Sequence, residues 1–294
     1  MGKLDKKISL KCIDLFAGVG GIRLGFEQAA KDFGFNTQCV FTSEIDDWAC
    51  KTYRKNFPQD SHDPKSDITK VDETSIPDFD VLLAGFPCQA FSIAGKRGGF
   101  NDTRGTLFFD VARIIKAKQP KAFLLENVKG LTNHKGGKTL EVIINTLKDD
   151  LGYTVFYKVL NAKDYGTPQL RKRLFFVGIR KDIETPFVFP EPVPLKYTFS
   201  EIMGGKTERD YSFTIRIGGR HSGINNRFNW DAYMVDGKVR YITPEECLLL
   251  HGFPKDFKLC GTQSQKFHQV GNSVSCCIVN ELVKQLQKIE VLDK

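Results

Sequence analysis

Cys88 stands just beyond a short apolar run, Val81 to Ala84, that stops at Gly85 and hands the chain to a Pro-Cys dipeptide. Such a run reads as a buried strand of a parallel sheet, where both faces are covered. Ligands of these sheets bind just past the carboxyl ends of the strands, so a thiol there is placed for nucleophilic attack rather than for packing. The other cysteines, Cys12, Cys39, Cys50, Cys247, Cys260, Cys276 and Cys277, mostly lie inside apolar runs and read as small buried hydrophobes. Glu126 closes a second apolar run, Ala122 to Leu125, at the same edge of the expected sheet. A thiol and a carboxyl group brought together suit nucleophilic attack with general acid help; a lone glutamate in that place is as readily a helix cap or an exposed acid. Arg171 and Arg173 belong to a polar stretch, Gln169 to Arg173, ahead of a further apolar strand. It can hold phosphates or a base, or form a solvated turn.

The elements that must position these groups alternate in type. A strand from Leu10 to Phe16 runs into Ala17-Gly18-Val19-Gly20-Gly21, and a helix follows with Ile22, Phe26, Ala29 and Phe33 on one face. Strand, glycine turn and helix open a Rossmann-like unit in which backbone amides approach a cofactor. The glycines are spaced G-x-G-G, so the dinucleotide fingerprint is not met. Glu44, after a strand from Gln38 to Thr42, stands where such folds bind ribose hydroxyls. Helices are expected over 47–57, from Leu107 to about Pro120 and around Leu140 to Leu151, with strands at 154–160 and 174–179. The pattern predicts an α/β chain with a mostly parallel sheet. The glycine-rich, charged segment 95–105 reads as a loop able to close over a substrate. Near Thr185 the alternation ends in a linker punctuated by Pro186, Pro190, Pro192 and Pro194. Residues 204–240 mix Gly, Arg, Asn and aromatic side chains, a composition that reads base edges or forms ordinary hairpin loops. A last helix, Val274 to Ile289, is expected to dock on the first unit.

At 294 residues the chain can bury a full core and carry one large unit plus a small one. Lys and Arg exceed Asp and Glu by 43 − 35 = 8, a balance compatible with a polyanionic partner. Eight cysteines without a CxxC pair argue against both a zinc site and a disulfide framework, and a reducing cytoplasmic setting fits them best. No apolar run approaches a membrane span, and the first residues lack the apolar core of a signal peptide.

Taken in order, these stretches resemble the DNA (cytosine-5)-methyltransferases of bacterial restriction-modification systems, over nearly all of residues 10–285. The resemblance rests on Asp14 to Gly21, Glu44, Asp67, Gly85-Phe86-Pro87-Cys88-Gln89, Arg104 to Phe108, Glu126-Asn127-Val128 and Gln169 to Arg173. It continues through Thr243 to Cys247, Gly252-Phe253-Pro254 and Gln269 to Val274. The family implies a Rossmann-like methyltransferase fold with a small, irregular, β-rich target-recognition domain. The expected division is 1–184 catalytic, 185–264 target recognition, and 265–294 returning to the catalytic domain. It implies S-adenosylmethionine as methyl donor and S-adenosylhomocysteine as product, with no metal. The donor is expected among Phe16, Ala17, Gly18, Gly20, Gly21, Glu44, Ile45, Asp67, Ile68, Gly85, Pro87, Leu107, Asn272, Ser273 and Val274. A cytosine flipped from duplex DNA would meet Cys88 at C6, Glu126 at N3 and the exocyclic amine, and Arg173 at O2 with Arg171 in support. DNA contacts are expected from Gln89, Ser92, Lys96, Arg97 and Arg104, and from Arg216, Arg220, Asn225, Asn226 and Arg227. The resemblance also implies a monomer and a cognate restriction endonuclease acting on the same site without stable contact. A short segment between Arg180 and Arg240, His251 where glutamine is frequent, and Ser275-Cys276-Cys277 where prolines are common depart from the pattern. One branch of the family methylates tRNA, but Gly85-Phe86 before Pro87-Cys88 favours DNA. A catalytically silent DNA-binding protein is disfavoured by the joint presence of Cys88, Glu126, Arg171 and Arg173.

Overall fold

The computed structural model describes residues 9–87, 107–183, 186–288 and 291. Six strands form one sheet: β1 (Ser9–Leu15), β2 (Asn36–Ser43), β3 (Val81–Gly85), β4 (Ala122–Val128), β5 (Tyr153–Asn161) and β6 (Lys172–Arg180), in the order β2-β1-β3-β4-β6-β5. The pairs β1–β2, β1–β3 and β3–β4 are parallel. β6 runs the other way and pairs antiparallel with both β4 and β5. The central strands are apolar on both faces because both are covered. One face carries Leu10, Cys12, Leu83, Leu124, Phe175 and Val177 beneath α1 (Gly21–Asp32) and α8 (Cys276–Lys288). The other carries Ile13, Leu82, Phe123, Leu125 and Phe176 against α3 (Leu107–Lys118) and α4 (Lys138–Asn145), whose Val111, Ile114, Ile115 and Ile143 are wholly buried.

Two boundary shifts bear on the site. β1 ends at Leu15, because Phe16 takes a left-handed φ of 53° at the turn into Gly18. The last helix begins at Cys276 and not at Val274, since Ser273 is extended where it closes α7 (Gln263–Asn272).

A third core sits beside the sheet. It joins α5 (Phe199–Met203), the hairpin β7 (Ala232–Val235) and β8 (Lys238–Tyr241), α6 (Pro244–His251) and α7 around Trp230, Tyr233, Leu250, Phe253 and Phe267. Thr198, Thr243 and Thr262 each start a helix with a capping box, which satisfies amides that the short helices would leave bare. Val19 and Cys276 belong to this core too, so it is continuous with the turn before α1 and the start of α8. α2 (Asp47–Asn56) also reaches it: Thr52 donates to Gln269 of α7 at 2.5 Å.

Candidate active site

Register brings the charged groups together at the carboxyl edge of β3 and β4. Gly85 lies opposite Glu126, while the reversed β6 sets Arg173 opposite Val128. Arg173 Nε meets Glu126 Oε1 at 3.0 Å. Burial raises the Glu126 carboxyl above its ordinary range, and the nearby guanidinium groups of Arg173 and Arg171 pull it only part of the way back. Asn127, which sequence reasoning left without a role, donates from Nδ2 to the Phe86 carbonyl at 2.8 Å and accepts from the Val128 amide. It thereby pins the end of β3 one residue before Pro87. Cys88 follows directly in the chain; it lies outside the described residues, as do Gln89, Ser92, Lys96, Arg97, Arg104 and the whole loop expected to close.

Arg171 is fully buried and spends its guanidinium on backbone. Nη1 donates to the Ile215 carbonyl at 3.1 Å, and Nη2 to the carbonyls of Gly271 at 3.2 Å and Ser273 at 2.5 Å. It ties β6 to the small core and to the turn before α8, one reason the polar run before β6 could not be parsed from its composition. Burial, then Arg173, pushes it down to about 9, still protonated at neutral pH.

A cavity of about 360 Å³ extends from this edge along the ends of β1 and β2. Phe16, Gly18, Glu44, Ile45, Asp67, Ile68, Gly85, Pro87, Leu107 and Asn272 line it together with Glu126 and Arg173. His268 and Gln269 line it as well; Gln269 opens a stretch that carried the family resemblance but had no role of its own, and nothing in the polar run of α7 singled out His268. Ala17, Gly20, Gly21, Ser273 and Val274 are not part of its lining. Gly20 and Gly21 instead allow close packing, the first against the Phe57 ring and the second against Ser273 and Val274.

Glu44 organises the cavity. Its Oε2 accepts from the Gly18 amide at 2.7 Å, and its Oε1 from the amides of Ile45 and Asp46, each at 2.7 Å. Oε1 thus accepts twice already, while Oε2 keeps a lone pair for a ligand's hydroxyl. Ile45 is 66% exposed at the rim, an apolar side chain with room for a flat ring over it. Gly18, at φ 55°, has nothing within 4 Å of where a Cβ would stand. Backbone that close to open space lets a ligand approach the turn. An acid at the end of β2, an uncovered apolar rim and a bare glycine turn fit an adenosyl group, and the neighbouring acid-arginine pair fits a polar ring.

The side chains expected to read DNA divide in two. Arg216 and Asn225 are exposed. Arg220 lies over the Phe267 ring, 3.8 Å from its centroid, and Arg227 over Phe228 at 4.5 Å, while Asn226 Oδ1 accepts from the Phe228 amide at 2.8 Å.

The family model of the C-5 cytosine-specific DNA methylases matches residues 10–227 and 196–288. The chain belongs to this family. Among relatives of the methylase, Type II methyltransferase M1.ScrFI of Lactococcus lactis subsp. cremoris is 41% identical over 98% of this chain and 80% of its own length. M.NgoBI of Neisseria gonorrhoeae is 42% identical, covering 92% of this chain and 90% of the relative. M.HhaI of Haemophilus parahaemolyticus is 39% identical over 92% of each. Among solved structures, a DNMT2 of Spodoptera frugiperda superposes with a TM-score of 0.72 at 20% identity, covering 97% of the methylase and 100% of that chain. That likeness shows the Rossmann-like methyltransferase fold. The methylase is a DNA cytosine methyltransferase of the kind found among Type II enzymes, and the RNA alternative gains no support from these matches.

Proposed function

We propose that the methylase modifies C5 of a flipped-out cytosine through a covalent adduct of Cys88. The observation that carries this reading is the buried Glu126–Arg173 pair facing a cavity whose other end suits an adenosyl group. In this reading the Cys88 thiolate adds to C6, and the ring electrons it displaces collect toward N3 and O2. Glu126, kept protonated further toward neutral pH than an ordinary glutamate, gives its hydrogen bond or proton to N3. Arg173 holds both the Glu126 carboxyl and the ring oxygen. Asn127 keeps the Phe86 carbonyl fixed so that Pro87 delivers the thiol at one place. Glu44, Ile45, Asp67 and Leu107 would hold S-adenosylmethionine, which supplies the electrophilic methyl group when bound. Loss of the C5 proton then expels the cysteine.

Segment 185–264 serves as the target-recognition part in this proposal, with Arg216 and Asn225 as the two expected base readers whose side chains have no partner among the described residues. A cognate endonuclease would act on the same DNA site without joining the enzyme, which works as a monomer.

The test is covalent capture on duplex DNA carrying 5-fluorocytosine at the target, because fluorine at C5 does not leave as a proton does. Wild-type protein with S-adenosylmethionine is expected to form a denaturation-resistant adduct, and Cys88→Ala none. An adduct of undiminished yield with Cys88→Ala sinks the proposal.

A further inference from the structure

Past Arg173, toward the free side of the sheet, a second cavity of about 540 Å³ opens at the same edge. Four lysines surround it: Lys129 just past β4, Lys158 on β5, Lys163 in the turn after β5, and Lys172 at the start of β6. Two acids, Asp164 and Glu191, also line it. Asp164 is engaged by Lys163 at 2.7 Å, which leaves three cations against one acid. Lys129 and Lys172 are exposed, and neither pairs with an acid among the described residues. In the same wall Asn161 is 8% exposed; its Oδ1 is sealed from solvent and has no hydrogen-bond partner among the described residues. Its Nδ2 is not sealed and donates to none of the described residues, which leaves its N–H groups for a ligand. The catalytic pair and the methyl-donor cavity use none of these residues.

Lysine ammonium groups are compact point charges that suit a phosphate approached from several directions. Register sets the distance. Asn161 lies opposite Lys172, Leu160 opposite Arg173, and Arg173 opposite Val128. Glu126 itself lies opposite Phe175, three residues along β6 from Lys172. That offset of about 10 Å, combined with one to two strand spacings, puts the cavity roughly 11–14 Å from Glu126. Along duplex DNA that is about three to four base-pair rises. We propose that this lysine pocket holds a backbone phosphate of the substrate duplex, about three to four nucleotides from the flipped cytosine. The inference rests on the DNA reading above and deepens it: the pocket fixes the register of the duplex on the enzyme and carries no sequence information of its own.

The test is the salt dependence of binding to a target duplex of about 24 base pairs, for wild type and for Lys129→Gln/Lys172→Gln. Loss of one phosphate contact is expected to flatten the slope of log K against log salt by about 0.9, and loss of two by twice that. On duplexes trimmed to end about two base pairs from the target cytosine, on one side and then the other, one trim should make wild type and variant equal. An unchanged slope on the long duplex overturns the proposal. So does an equal deficit on the long and both trimmed duplexes, since the lysines then act only through the general field of the protein. Binding of S-adenosylhomocysteine by the variant shows that it is folded. Should wild type bind no duplex of any length, the DNA reading itself fails, a result separate from failure of the pocket.

Discussion

Glu126 holds its proton to higher pH than an ordinary glutamate because burial outweighs the pull of Arg173 and Arg171. If the protonated form assists attack, kcat/KM falls as pH rises through that pKa. Arg173→Gln removes the cation that lowers it, so the alkaline limb should move to higher pH while the rate drops. A limb that stays in place or moves down would remove the pair from the acid step; pH profiles of methyl incorporation decide it. His251 gives a second, independent pH effect. Burial, then Arg171 and Arg173, hold its imidazole well below the usual histidine range. The unfolded chain takes up that proton below about pH 6.5 and the folded protein does not, so stability is full above that pH and declines as pH falls. The loss approaches about 1.4 kcal/mol per pH unit, and His251→Gln should abolish it in urea unfolding compared between about pH 5 and pH 7.5. The chemical residue types were legible at this scale because each stands beside an apolar run. The Asn127 clamp was not: a polar side chain bonded to backbone 41 residues away leaves no periodic mark.

Elements announced themselves through alternation and helical spacing, yet strand direction did not. Nothing in Leu174 to Ile179 distinguishes a reversed strand from a parallel one, and the reversal is what sets Arg173 beside Glu126. α7 was missed for a different reason. Its polar residues are used inward, Gln269 receiving Thr52 and donating to the Cys260 carbonyl, so its buried face does not look apolar. Two changes test how elements are held. Arg23 on α1, almost wholly buried, donates to Asp60, to Glu27 at 2.6 Å and to Tyr53 at 3.0 Å. Asp60→Asn leaves that cation underpaid and should cost about 3–5 kcal/mol in chemical unfolding. Gly271 lets two segments cross: a Cβ there would stand 2.7 Å from both the Arg216 carbonyl carbon and the Ile217 nitrogen. Gly271→Ala should cost about 1–3 kcal/mol as the backbone shifts, and should displace the segment that carries Arg216. Unchanged stability in both variants would show these contacts to be slack.

At the scale of the molecule, the excess of eight positive charges was compatible with a polyanion without saying which face would meet it. The target sequence stayed illegible because, in the proposed reading, base choice depends on which side chains of 185–240 remain free. Arg216→Ala should relax methylation at one neighbouring position by about 1–3 kcal/mol of discrimination, read by bisulfite sequencing. Arg220→Ala, by removing a cation from the Phe267 ring, should lower stability and leave the methylated context unchanged. If Arg220→Ala changes the context and Arg216→Ala does not, this division is reversed. The early and late parts of the chain also share one core: α8 packs on α1, Ile278 and Leu282 against Ile22 and Phe26, while Asn272 lines the same cavity as Phe16. A ribosome delivers these partners some two hundred and fifty residues apart. Synthesis must therefore pass α7 before Asn272 can close the cavity, and pass Val283 before α1 has its cover.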